Sequence, residues 1–191
     1  MSVTEANFVL GPAQLYVAVF GSTEPTDSTS SYSGAWVNVG ATDGGVKVEI
    51  DETITDLTAD QVLLSVGGRV TGQTITVTVN LAEITLANIV ASMASNATIT
   101  AGSGQSTLDP VTTTSATQPA YVALGIDGWA PRGTSTGSLN VRRMIVRKCL
   151  PDTKDSFTFD KKTQQALAVT FKAYYVSSSI APWHFIDGQT A

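Results

Sequence analysis

Apolar and polar residues alternate with a period of two along much of this chain. In QTITVTVNL, residues 73–81, Ile75, Val77, Val79 and Leu81 alternate with Thr74, Thr76, Thr78 and Asn80, as in a strand with one face in a core and the other in water. In VKVEID, residues 46–51, Val46, Val48 and Ile50 alternate with Lys47, Glu49 and Asp51, which predicts one apolar face and one charged, mostly acidic face. Further runs rich in β-branched and aromatic residues predict strands at 15–20, 35–40, 45–51, 61–66, 120–126, 139–150 and 165–176. One stretch changes period. Within residues 83–96, Leu86, Ile89, Val90 and Met93 recur at i, i+3, i+4 and i+7, predicting a single helix whose apolar stripe packs in the core and which Asn96 ends. The fold class expected is mainly β, a β-sandwich or partial barrel with one α-helix.

Two segments rich in Ser, Thr and Gly, residues 21–34 and 101–119, read as long loops without a core of their own. The chain therefore divides into an N-terminal arm at 1–12, a β domain at 13–180 carrying these loops, and a C-terminal tail at 181–191. No repeat of fixed period interrupts that division.

Composition narrows the function. With 191 residues, 42% of them hydrophobic, the chain can bury one substantial core. Charged residues are only 14%, against about 25% in an ordinary soluble domain. Much of the surface is thus neutral and polar, which suits packing against other protein. Residues 43–60 hold six acids, Asp43, Glu49, Asp51, Glu52, Asp56 and Asp60, and one base, Lys47. That equals the net charge of the whole chain, −5, so acids and bases balance elsewhere. Such a patch repels phosphate and argues against nucleic-acid binding there.

Catalytic patterns are missing at every point where one could be built. A hydrolytic triad needs a histidine between nucleophile and carboxylate, and the one histidine, His184, sits in the aromatic setting of APWHFID. The one cysteine, Cys149, excludes an intramolecular disulfide and a cysteine metal cage, and its presence fits a reducing compartment. GSGQST, residues 102–107, lacks the lysine of a phosphate-binding loop. Asp51 and Glu52 would point to opposite faces of a strand, and the acids after Asp43 do not follow a calcium-loop spacing, Gly45 and Lys47 standing at ligand positions. No enzyme, metal or cofactor is expected. No apolar run is long enough for a membrane span, and Glu5 stands where a secretory signal would be basic, so neither a span nor a leader is expected. Arg142, Arg143, Arg147 and Lys148 alternate between the two faces of their strand and form no continuous basic stripe. Two roles stand open for them: ion pairs with the acidic stretch, within or between subunits, or a solvated face.

The order of three stretches carries a resemblance. WVNVGATDGGVKVEIDE (36–52), then VTGQTITVTVNLAEITLANIVASM (70–93), then KKTQQALAVTFKAYYV (161–176) resembles the tail tube, or major tail, proteins of long-tailed bacteriophages, over roughly residues 10–180. The resemblance implies a subunit that forms hexameric rings through a continuous inner β-barrel. The rings would stack into a hollow tube that conducts DNA without binding it specifically. It also implies tape-measure, tail-tip and tail-terminator proteins as partners, and a place in the virion tail after synthesis in a host cytoplasm. Lys47, Glu49, Asp51, Thr74, Thr76 and Thr78 would then face the lumen, and residues 1–12, 21–34 and 181–191 would make ring or subunit contacts, some of them ordering only on assembly. On that reading, deleting residues 22–33 abolishes tubes and leaves the fold intact. Two alternatives share the pattern: the inner tube of a contractile tail or secretion device, and a carbohydrate-binding β-sandwich on a particle surface if Trp36, Trp129 and Trp183 converge.

Overall fold

The computed structural model describes residue 9 and residues 11–93, 97–110, 119–131, 140–152 and 164–188. Among them are ten strands, β1 (Gln14–Val19), β2 (Val37–Asn38), β3 (Thr42–Leu57), β4 (Gly67–Leu81), β5 (Ala97–Ala101), β6 (Ser106–Pro110), β7 (Val122–Ala130), β8 (Asn140–Pro151), β9 (Leu167–Ala173) and β10 (Trp183–Asp187), with one helix, α1 (Leu86–Ser92). Eight strands share one antiparallel sheet in the order β2-β1-β7-β8-β9-β4-β3, and β10 adds to β8. Over the described residues the fold is mainly β and sandwich-like, without a closed barrel.

β8 is where the sheet turns. Residues 142–146 pair with β10, whereas residues 149–151 pair with β9. Between them, the register with β7 passes from Leu124↔Val146 to Val122↔Cys149, so Arg147 and Lys148 stand opposite Ala123 alone. Two residues against one make a β-bulge, which bends the strand and raises its twist. The bend lays β9 and β4 over β1 and β7. Leu15, Leu124, Met144, Val146 and Cys149 then meet Val77, Val79, Leu81, Val169 and Phe171 in one inner core. Val46 and Val48 pack on that core, as their alternation predicts, but Ile50 is 38% exposed because the sheet beneath it has ended.

The opposite face is covered too. Ala18, Trp36, Ala123 and Ile145 form a second, smaller core with Tyr16 and Tyr32 against it. Residues 21–34 form a loop, as expected, but one that packs on the sheet: Tyr32 stacks on Tyr16 at 3.9 Å between ring centroids, and Trp36 Nε1 donates to the Thr23 carbonyl. A Cβ on Gly125 would lie 2.4 Å from the Tyr32 hydroxyl oxygen, so only glycine lets the ring approach the sheet this closely.

Several other elements depart from the sequence reading. The run at 61–66 is no strand but the turn joining β3 to β4. Part of the expected loop at 101–119 is the β5–β6 hairpin, closed by Gly102 N–H donating to the Gln105 carbonyl with Gly104 at φ +79°. The supposed C-terminal tail contains β10. α1 is shorter than expected: Thr85 caps it by accepting from Asn88 N–H, and Met93 ends it, while Asn96 lies outside the described residues. Its stripe residues Leu86, Ile89, Val90 and Met93 are only half-buried. The deepest face carries Asn88 and Ser92, because Asn88 Nδ2 donates to the Val39 and Glu83 carbonyls and draws that side of the helix onto the chain.

Candidate functional site

β3 and β4 form a long hairpin arm. Their register pairs Lys47 with Thr78, Glu49 with Thr76 and Asp51 with Thr74. Paired residues share a face, so the six residues expected to line a common wall are direct cross-strand neighbours on one side of the arm. Asp51 and Thr74 are exposed, and Thr76 and Thr78 are half-buried beside β9. Lys47 Nζ lies 2.7 Å from Glu49 Oε1, with both side chains well exposed, a contact that locally offsets one acid and adds little stability. Asn80 continues the polar row, opposite Asp43. Glu52 faces the other way and accepts from Gln73 Nε2 at 2.9 Å.

Beyond Ile50 the arm leaves the body of the protein. Every residue from 49 to 58 and from 60 to 74 is exposed, including Ile54, Leu57, Val66 and Val70. The arm holds itself together through its ladder and through Thr55 Oγ1 and Thr71 Oγ1 at 2.9 Å. Among the described residues, β3 pairs with β4 alone, so its outer edge is open along sixteen residues. An edge that long is a template for another strand.

Within the chain the arginines take partners outside the acidic stretch, which corrects the intrachain pairing expected for them. Arg142 meets Asp187 of β10. Arg143, with only 3% of its side chain exposed, makes a two-pronged bond to Asp127, Nε to Oδ1 and Nη2 to Oδ2, both at 2.7 Å. Its Nη1 donates to the carbonyls of Asp27 and Ser30, each at 2.8 Å, and its guanidinium lies 4.2 Å from the Tyr32 ring centre. Tyr32 donates its hydroxyl to Asp127 at 3.0 Å. Burial, then the Asp127 charge, holds that phenol well above its ordinary pKa, so it remains a donor. Asp27 accepts from the side chains and backbones of Ser30 and Thr29, which keeps its carboxyl well below the usual range. Lys148 stands over the rings of Tyr121 and Phe20, at 4.4 and 5.5 Å.

Arg147 joins three segments. Its Nε and Nη2 bond Glu24 at 2.6 and 3.0 Å, its Nη1 donates to the Ala181 carbonyl, and Nη2 lies 2.8 Å from His184 Nδ1. An arginine can only donate, so His184 accepts through an unprotonated Nδ1. Burial and the Arg147 charge lower the His184 pKa below 6.5, while Glu24, 3.8 Å from Nδ1, opposes the shift. A depressed histidine pKa means the unfolded chain takes the proton first. Stability from this contact is complete above pH 6.5 and is lost as pH falls through the folded-state value. Melting temperatures at pH 7.5 and 5.0 are expected to fall further for the wild type than for His184→Gln; equal falls would remove His184 as the cause.

Other candidates resolve into structure. Cys149 is fully buried and its thiol is pushed up to about 12 by burial, so it is not a nucleophile. Trp36 packs under Tyr32, Trp129 lies against Gly11, and Trp183 sits edge-on to Phe185, with no ring contact joining any two tryptophans. Among the described residues no three His, Cys, Asp or Glu side chains group as metal ligands, and no helix is long and apolar enough to cross a membrane. Asp127, Glu24 and Asp187 escaped the sequence reading, because no local signal links them to partners 16, 123 and 45 residues away. In comparisons with known proteins, no family model and no curated protein matches the chain.

Proposed function

We propose that this chain is the structural subunit of a phage tail tube, six copies closing a ring and rings stacking into a conduit for DNA. The observation that carries the reading is the arm: one polar face bearing Lys47, Glu49, Asp51, Thr74, Thr76 and Thr78, next to an open strand edge. Strand addition along β3 would join the sheets of neighbouring copies and satisfy that edge. The acidic face would then turn to the lumen. Carboxylates repel phosphate, whereas a basic wall would release counterions and grip DNA that has to slide. Tape-measure, tip and terminator proteins would be the partners at the ends.

Negative-stain electron microscopy of the concentrated protein, with light scattering alongside, tests the reading. Hollow rings or tubes are expected; a monomer at every concentration, with or without added tail-tip protein, would refute it. The charge argument has its own test. Glu49→Lys with Asp51→Lys is expected to leave the fold unchanged, since both residues are exposed. Assembled particles of this variant are expected to retain DNA about tenfold or more tightly at 50 mM than at 200 mM salt. Wild-type particles are expected to retain none, and DNA retention by both or by neither would exclude a lumen lined by this face.

A further inference from the structure

Pairing across three strands sets polar and aromatic side chains together on the sheet face that the 21–34 loop covers. Gln14 of β1 pairs with Asp127 of β7, and Asp127 pairs with Arg143 of β8, so the three form one row. Tyr16 and Trp129 stand two residues along from Gln14 and Asp127, and a strand returns to the same face every second residue. Residues 28–32 rise over this face as a wall. Arg143 holds them through the Asp27 and Ser30 carbonyls, and Tyr32 through its stack on Tyr16. Between wall and sheet lies a cleft of about 570 Å³, inside the roughly 300–1,000 Å³ range of small-molecule sites.

Two properties of the lining define what fits. Its charged residues, Asp127 and Arg143, neutralise each other. Three of its polar groups, Gln14 Nε2, Ser28 Oγ and Ser31 Oγ, have no hydrogen-bond partner among the described residues. Ser28 is only 7% exposed, and a hydroxyl in so buried a residue is ordinarily bonded. Asp127 accepts from Arg143 Nε, Arg143 Nη2 and the Tyr32 hydroxyl, which leaves one of about four acceptor positions of a carboxylate.

We infer that this cleft binds a neutral pyranose sugar, free or as one unit of a surface glycan. Each sugar hydroxyl both donates and accepts, which suits an amide N–H, two hydroxyls and a remaining carboxylate position around one space. The C–H face of the ring suits Trp129, Tyr16 and Tyr32, because aromatic faces carry partial negative charge. A phosphate would meet the Asp127 carboxylate, with Arg143 already committed to that carboxylate and to two carbonyls. Every lining residue belongs to one copy, so the site is independent of the tube reading.

Saturation-transfer NMR of the full chain tests this with glucose, galactose and N-acetylglucosamine, as free sugars and as trisaccharides, and with glucose 6-phosphate as the charged comparison. A Kd of about 1–10 mM is expected for at least one neutral sugar. A trisaccharide bound more tightly than its free sugar would identify a glycan chain as the source, and equal binding a free sugar. Trp129→Ala is expected to weaken binding about tenfold at an unchanged melting temperature. Gln14→Ala, at an exposed position, is expected to weaken it about fivefold and carries the test if the tryptophan variant fails to fold. Tyr175→Ala, which removes a 70% exposed ring outside the cleft, is expected to bind as wild type does. No transfer to any neutral sugar at about 50 mM would overturn the inference. So would binding that Gln14→Ala leaves intact, an equal loss in Tyr175→Ala, or tighter binding of glucose 6-phosphate than of every neutral sugar.

Discussion

Arg143→Ala is expected to destabilise the protein by about 3–5 kcal/mol, the cost of breaking a buried ion pair on one side. The side chain is 3% exposed and uses Nε, Nη1 and Nη2 at once, on the Asp127 carboxylate and the Asp27 and Ser30 carbonyls. Alanine would leave a carboxylate without its counter-charge and two acceptors without donors, and an unmatched buried group costs far more than its bond contributed. Lysine restores charge but not the planar fork, so Arg143→Lys is expected to fall between wild type and alanine. Arg142→Ala is the internal control: its side chain is 42% exposed, and the loss there is about 0–1 kcal/mol. Urea titration checks all three. A shift in midpoint at unchanged slope is expected, and equal losses for Arg142→Ala and Arg143→Ala would refute the burial argument.

Removing residues 22–33 and closing the gap with a short Gly-Ser linker is expected to unfold the protein or cost it at least about 3 kcal/mol. This reverses the expectation from sequence, under which the deletion spared the fold. Tyr32 would go, and with it the cover over Ala18, Trp36, Ala123 and Ile145; burying one such ring is worth roughly 1.5–3 kcal/mol. Glu24 would go as well, leaving Arg147 beside His184, and the Asp27 and Ser30 carbonyls would be withdrawn from Arg143. Thermal melts of the deletion and of Tyr32→Ala distinguish the contributions. A deletion that melts with the wild type would mean that the loop only lies on the sheet.

Strands with two unlike faces were legible in the residues. Ile75, Val77, Val79 and Leu81 are buried as their alternation requires. The same logic failed wherever apolar content and burial part company. Residues 61–66 read as a strand because Val62, Leu63, Leu64 and Val66 look like core, yet they form a turn at the end of the arm. The β5–β6 hairpin was missed for the opposite reason: most of its residues are exposed, so Thr and Ser on both faces left no alternation to read. β10 was taken for tail because five residues near a chain end carry too little periodicity against noise.

By itself the sequence determined the mainly β class, the one helix, the concentration of acid in residues 43–60, and the division of residues 46–51 and 73–81 into an apolar and a polar face. All of these depend on spacing within a few residues, which the two-residue period of a strand makes visible. Only the tertiary structure decided that Lys47, Glu49 and Asp51 stand opposite Thr78, Thr76 and Thr74, that the outer half of the arm is bare, and that the arginines are tied to Asp187, Asp127 and Glu24. Register and ion pairing join residues that are distant along the chain, and which of them meet is set by how a bent sheet brings its strands together.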